Sequence, residues 1–256
     1  MHRTVLGDEQ GPALEYDRSD RRGGATADVA EIAPGRTAQE AAAVACAQLP
    51  GWRITTADPS LSDALVAAGA EFRRRALIMQ CRLAEGASRE PDLRPFEARP
   101  LPSTTSDPAL WAPILPSWRA AFPPGHPDHL DVDEAGALAF FAPLIDGTEM
   151  GPLHRSTCVV ADPDGRVGAG IVVNVRSRDA RAGGPWISDI WRDPGLRGTG
   201  IGARLIERTQ HQLTADGFTT LTLAVTRGND AERSYSAAGF TLLMDSRILV
   251  IPGEAG

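Results

Sequence analysis

The chain has 256 residues, 42% of them hydrophobic, and a net charge of −7. That length can bury roughly 70–75% of the unfolded surface, enough for a sizeable core. The acidic balance argues against general nucleic-acid binding and suits a cationic partner.

No run of about 18 apolar residues occurs, so no membrane span is expected. The start, Met1-His2-Arg3-Thr4, has no apolar signal core, so export is not expected either. Cys46, Cys81 and Cys158 are odd in number, widely spaced and without metal-ligand spacing; they read as reduced, mostly buried thiols of a cytoplasmic protein. All 26 basic residues are arginine, which carries no chemical message of its own.

Residues 1–30 read as an irregular start, strongly polar from Asp17 to Gly24. Ala38 to Leu49 is an alanine-rich helix, and Leu61 to Ala68 a second one ended by Gly69. Trp52 to Thr56 and Phe72 to Leu83 read as strands. Glu85 to Pro95 is polar with two prolines and reads as a linker, dividing the chain into 1–93 and 94–256. Beyond it, Phe96 to Leu101 reads as a strand, and Ser106-Asp107-Pro108 carries the cap and early proline of a helix start. A loop rich in Pro, His and Asp (123–131) leads to a helix from Asp133 to Leu144. Cys158–Ala161 and Val167–Val175 flank Asp162-Pro163-Asp164-Gly165, a hairpin signal.

The most informative stretch is 190–202, which joins the strand-like run Trp186–Trp191 to an amphipathic helix beginning near Gly200. Ile201, Leu205, Ile206 and Leu213 fall on one stripe of that helix, and Gly217 ends it. A strand, a glycine turn and a helix N-terminus make an anion site, because the first N–H groups lack partners and the dipole is positive there. Arg197 adds a planar fork of donors. A P-loop is excluded, since the chain has no lysine, and no Gly-x-Gly-x-x-Gly fingerprint opens a βαβ unit.

Arg197-Gly198-Thr199-Gly200-Ile201-Gly202, preceded by Pro194, resembles the acyl-CoA signature of the GNAT superfamily of N-acetyltransferases, [Arg/Gln]-x-x-Gly-x-[Gly/Ala]. Downstream, Thr219 to Thr226 alternates as a strand. Asn229 to Phe240 then resembles the family pattern Asn-x-x-Ala-x-x-x-Tyr-x-x-x-Gly-Phe, with Ala231, Tyr235, Gly239 and Phe240 in register. Asn229 departs by one place, standing six residues before the tyrosine rather than seven. It reads either as a cofactor contact or, with Glu232 three residues on, as the N-cap of a capping box. The resemblance covers roughly 95–252 and implies a mixed α/β GNAT acyl-CoA N-acyltransferase fold; the element order from Phe96, β-α-α-β-β-β-α-β-α-β, agrees. Ala67-Ala68-Gly69-Ala70-Glu71-Phe72 echoes Ala237-Ala238-Gly239-Phe240, which would make residues 1–93 a shortened copy of the family's C-terminal half, or be chance.

The resemblance implies that the backbone of Ile190, Trp191 and Arg192 pairs with the pantetheine arm and supplies an oxyanion donor. It implies that Arg197, Gly198, Thr199, Gly200, Ile201 and Gly202 cradle the pyrophosphate, and that Tyr235, in contact with the cofactor, protonates the departing thiolate. The alternative for Tyr235 is a ring packed beneath the cofactor. Asp189, expected on the side of the strand that carries Ile187 and Trp191, is the candidate base; a buried carboxylate there should have a raised pKa. Deprotonation through a water chain, or an ion-pair role for Asp189, remain alternatives.

The group His126-Pro127-Asp128-His129, with Asp131 and Asp133, has metal-ligand residue types, but proline inside the spacing weighs against a metal and none is expected. By the resemblance this stretch lies beside the acceptor pocket, where its carboxylates would bind an amine. Trp111, Trp118, Phe140 and Phe141 read as helix core. The expectation is therefore an acetyl-CoA-dependent N-acetyltransferase, a monomer or homodimer. It would act on a small-molecule or peptide amine, without metal, nucleic acid or membrane. A non-catalytic acyl-CoA-binding module is the competing class.

Overall fold

The computed structural model describes residues 3–21, 24–83, 90–177 and 183–253; part of the expected linker, 85–89, lies outside the described residues. In chain order the elements are β1 (Arg3–Asp8), β2 (Gly11–Arg21), β3 (Gly24–Ile32), α1 (Ala38–Gln48), β4 (Arg53–Thr56), α2 (Pro59–Ala67) and β5 (Glu71–Arg82). They continue with β6 (Glu97–Arg99), α3 (Leu115–Ala121), α4 (Glu134–Ile145), β7 (Cys158–Ala161), β8 (Val167–Arg176), β9 (Gly184–Arg192), α5 (Ile201–Ala215), β10 (Thr220–Thr226), α6 (Ala231–Ala237) and β11 (Thr241–Val250). Two compact units result: Met1–Ile78 with Leu242–Gly256, and Met79–Thr241.

In the first unit the strand order is β1-β2-β3-β4-β11-β5. The expected irregular start is instead three antiparallel strands. Leu14, Tyr16, Ala27 and Ala30 point into a core with Ala41 and Ala45 of α1 and Leu61 and Leu65 of α2. The outward charges pair across strands, Arg3 with Glu15 at 3.0 Å and with Glu31. Strands so rich in Asp, Glu and Arg show little apolar alternation, and only pairing with their neighbours makes them strands. Helix α1 opens with a full capping box, Thr37 accepting from Glu40 N while the Glu40 carboxylate accepts from Thr37 N. The last strand of the chain, β11, pairs antiparallel with β4 and delivers Leu249 to this core, with Ile251 just beyond.

In the second unit the order is β5-β10-β9-β8-β7-β6, with only the Met79–Arg82 end of β5 taking part. The β7–β8 hairpin turns where Asp162 accepts from Asp164 N and Arg166 N and Gly165 takes φ +83°. Helix α4 packs on α3 and on the 3-10 turn before it through aromatic rings, Trp111 of that turn on Phe141 at 4.7 Å and Trp118 of α3 on Phe140 and Phe141 at 5.4 and 5.2 Å. The helix expected from Ser106 is only a 3-10 turn, Pro108–Leu110, capped by Asp107. Pro113 has no N–H to continue it, and α3 starts two residues later. In α5 the stripe Ile201, Leu205, Ile206 and Leu213 is buried as its period requires. Cys81 and Cys158 are buried and Cys46 partly so, all three free.

The buried His154 bonds Ser156 Oγ through Nδ1 and Asp216 through Nε2, both at 2.9 Å, while Arg155 clamps Asp216 at 2.7 and 2.9 Å. Burial, partly offset by Asp216, holds the His154 pKa below its ordinary value, and Arg155 lowers that of Asp216. Below about pH 6.5 the unfolded chain therefore binds a proton that folded His154 refuses, and at lower pH the same holds for Asp216. Both contributions to stability are complete above that pH and are lost on acidification. Thermal melts are expected to show a lower midpoint at pH 5 than at pH 7.5; an equal or higher one would contradict this.

The two chain segments share a plan. β1-β2-β3-α1-β4-α2-β5 has the same element order as β7-β8-β9-α5-β10-α6-β11. In each, the third strand is bulged against the second, and its parallel ladder with the next strand holds two pairs: Thr26–Arg53 and Ala27–Ile54, or Trp186–Thr222 and Ile187–Leu223. Past the ladder they differ. Val29, in an unusual positive φ of 50°, donates its N–H to Thr55 Oγ1 at 2.9 Å, and Thr56 Oγ1 donates to Ala30 O at 2.8 Å. In register, Ala224 and Val225 stand where Thr55 and Thr56 do, and neither has a side-chain hydrogen-bonding group.

Candidate active site

The site begins with β9. On one side it pairs with β8 as far as Ala169–Arg192; on the other its ladder with β10 holds only the pairs at Trp186 and Ile187. Past Ile187 no β10 residue pairs with β9, so the backbone groups of Ile190 and Arg192, which point away from β8, have no ladder partner, while Trp191 between them pairs with Gly170 on β8. Unpaired groups of this kind seek a partner. Ser188 is the bulge: Ile187 pairs with Val173 and Asp189 with Val172, two steps on β9 against one on β8. The expected common side for Ile187 and Asp189 therefore does not hold, because the extra residue reverses the alternation between them. Asp189 and Trp191 do share a side, meeting α3 through Trp118 Nε1 to Asp189 at 2.8 Å and Trp191 Nε1 to Ser117 Oγ at 3.1 Å.

Beyond β9, Asp193 caps the 3-10 turn Pro194–Leu196, accepting from Gly195 N at 2.7 Å. Arg197 follows, exposed. Gly198 and Gly200 take φ +84° and +72°, a region costly for any side chain, and Gly200 is the N-cap of α5 with no side chain to cap it. The first turn of α5 holds no acidic residue. Thr199 donates through Oγ1 to Leu196 O at 2.8 Å, and Arg204 reaches back to Thr199 O at 3.0 Å and to the carbonyls of Asp92 and Arg94. Arg204 was not visible as a site residue in the sequence; its turn-holding role depends on the 92–94 segment being folded against it. The turn from Arg197 to Gly200 is thus exposed and tied by Thr199 and Arg204, and it leads into a helix start whose Ile201 N–H donates to Thr199 Oγ1 at 3.4 Å, an arrangement fit for an anion.

Tyr235, buried on α6, packs against Phe240 with ring centroids 6.1 Å apart. Burial first, then the negative charges of Asp189 and Asp128, pushes its pKa well above the usual phenol value, so the hydroxyl stays a donor. Asp128, on the 123–131 loop, accepts from Thr226 Oγ1 at 2.5 Å and Asn229 Nδ2 at 2.9 Å. Asn229 Oδ1 accepts from Ala231 N at 2.9 Å, but the helix cap is Asp230, so the capping box expected of Asn229 and Glu232 does not form. The displaced asparagine instead anchors the Asp128 loop, a link no local pattern announces. Beside it, a cavity of about 200 Å³ is lined by Trp118, Phe122, Asp128, Leu130 and Val132 among others. Among the described residues no three His, Cys, Asp or Glu side chains gather in a metal-holding group, and no helix is long and apolar enough to cross a membrane.

A mixed sheet flanked by helices, with β9 running through a glycine turn into the N-terminus of α5, defines a mixed α/β fold. The chain matches the Acetyltransferase (GNAT) family over residues 111–240, just over half its length, and belongs to that family. Among solved structures it is similar to a GCN5-related N-acetyltransferase from Sphaerobacter thermophilus, at 16% identity and a TM-score of 0.58, covering 94% of this chain and 78% of that one. A GCN5-related N-acetyltransferase from Kribbella flavida gives 17%, 0.54, 98% and 90%. A tandem GNAT protein from the clavulanic acid biosynthesis pathway gives 14%, 0.54, 98% and 82%. At these identities the likeness is one of fold. No relative is found among curated proteins by sequence.

Proposed function

We propose that this protein transfers an acetyl group directly from acetyl-CoA to a primary amine. The observation that carries the reading is the opening of β9 past Ile187 into the uncapped start of α5, an extended slot that ends in an anion cradle. The residues fit acetyl-CoA: backbone from Ile190 to Arg192 would pair with the pantetheine arm, and Arg197 to Gly202 would hold the pyrophosphate. Acetyl-CoA supplies the acetyl group as a thioester.

The work of this chain is then orientation and proton transfer. A backbone N–H of β9 stabilises the carbonyl oxygen as it gains charge, an effect worth about 10²–10³ in rate elsewhere. Asp189, held by the Trp118 indole, accepts the proton lost by the ammonium, directly or through water. The amine nitrogen forms the new C–N bond as the C–S bond breaks and releases its second proton to solvent water, while Tyr235 gives its proton to the departing thiolate and is restored from the proton held at Asp189. Release of free thiol from acetyl-CoA, measured across a panel of amines, tests the reading. Acetyl-CoA binding with no amine-dependent release would leave only a binding module.

The first unit reads as a degenerate copy of the second segment's β-β-β-α-β-α-β plan. Its slot is zipped by Thr55 and Thr56, and its helix start is filled by Glu40. One CoA per chain is therefore expected by titration calorimetry; two equivalent sites would overturn this.

A further inference from the structure

We infer that Asn174 and Ser188 are positioning residues for the transfer: their side-chain bond holds the bulge of β9, and the bulge sets which way Asp189 and the Ile190 backbone face. This deepens the transferase reading and rests on it. Ser188 Oγ donates to Asn174 Oδ1 at 2.7 Å. Asn174, on β8, is fully buried and pairs across the strands with Trp186, two places before Ser188. Its Nδ2 donates twice, to Leu144 O at 2.8 Å and to Gly151 O at 2.7 Å. Carbonyls can only accept, so the amide cannot turn over, and Oδ1 is left facing Ser188 as a fixed acceptor. A buried amide satisfied in this way is a rigid anchor.

The bulge matters because side chains and backbone groups alternate along a strand. With Ser188 as the extra residue, Asp189 pairs with Val172 and turns its carboxylate to the Trp118 indole, at 2.8 Å. Ile190 then points its backbone groups away from β8, to the side where β10 no longer pairs. If the bulge is lost, every residue past it shifts by one: Asp189 leaves Trp118, and Ile190 turns its groups into β8. The first unit carries the same device in other residues. Ser19 pairs with Thr26 as Asn174 pairs with Trp186, and Ser19 Oγ donates to Asp28 Oδ2 at 2.6 Å, again two places beyond its own partner. There too the strands step out of register beside the bond, between Asp28 and Glu31. Donor and acceptor have changed strands, yet the bond joins the same two positions of the shared plan, which ties it to the bulge rather than to any one pair of residues.

The test removes the hydroxyl with Ser188→Ala and keeps it with Ser188→Thr. In amine-dependent thiol release, Ser188→Ala is expected to lower kcat at least about tenfold with KM for acetyl-CoA within about threefold, because binding is spread over the whole cofactor while the transfer step depends on the aim of one strand. Ser188→Thr is expected to stay close to wild type. In proton–nitrogen correlation spectra the Trp118 indole signal, identified by its loss in Trp118→Phe, is expected to move in Ser188→Ala and to stay in place in Ser188→Thr. A folded Ser188→Ala protein with wild-type kcat or an unmoved indole signal overturns the inference, even if it melts earlier, because the bond would then serve stability alone. Ser188→Thr as slow as Ser188→Ala overturns it too, as does a Ser188→Ala chain that does not fold. If the wild type releases no thiol with any amine, the transferase reading falls, and the indole signal still decides whether the pair aims β9.

Discussion

Gly202→Glu is expected to weaken CoA binding at least a hundredfold, about 2.7 kcal/mol, in a protein that still folds. Gly202 lies in the first turn of α5 at an ordinary negative φ, and a Cβ added there meets nothing within 4 Å. The new side chain therefore enters open space without strain, carrying a carboxylate to the helix start where phosphate would bind. Gly200→Glu is expected to lose binding too, but Gly200 has φ +72°, so that variant adds backbone strain of about 1–2 kcal/mol and is the less clean test. Gly202→Ala brings bulk without charge and is expected to bind within a few-fold of wild type. Calorimetry paired with circular dichroism reads the outcome; unchanged affinity in folded Gly202→Glu would remove the cofactor assignment.

Tyr235→Phe is expected to lower kcat by roughly 10²–10⁴, the range for losing a general acid. The ring and its contact with Phe240 are kept, so the fold and CoA affinity have no reason to change. KM for acetyl-CoA is expected within a few-fold, since the donated proton matters mainly in the transition state. Burial, with Asp189 and Asp128 nearby, raises the pKa of the hydroxyl and so favours its protonated, donating form. A Tyr235→Phe enzyme with most of its kcat, under conditions where chemistry limits turnover, would reduce Tyr235 to packing.

Local chemistry explains what was readable early. The stripe of α5, the glycine turn before it and the hairpin at Asp162–Gly165 are each set by residues a few places apart, and each appears in the fold as the pattern implied. The same holds for the alanine-rich α1, while its Thr37–Glu40 box, though local, is read only from the structure. The strands β1 to β3 escaped because Arg3, Glu15 and Glu31 pair between strands far apart in sequence, and their charges mask the alternation of Leu14, Tyr16 and Ala27. At the site, Asp189 and Tyr235 stood out by residue type and motif register. Asp128 did not stand out in the same way, because its partners Thr226 and Asn229 lie about a hundred residues downstream.

By itself, then, the sequence determined the family resemblance, the glycine turn that leads into α5 and the helices whose apolar period is complete within one segment. Those features depend on φ preferences, capping and periodicity, which act over a few residues. Only the tertiary structure decided that β11, last in the chain, joins the first unit through β4, and that the bulge at Ser188 puts Ile187 and Asp189 on opposite sides. It alone showed Thr55 and Thr56 bonding to β3 past its two-pair ladder, where Ala224 and Val225 in the same register have no side-chain hydrogen-bonding group to offer β9. Those outcomes depend on strand register, and register is set by partners that the chain brings together only when it folds.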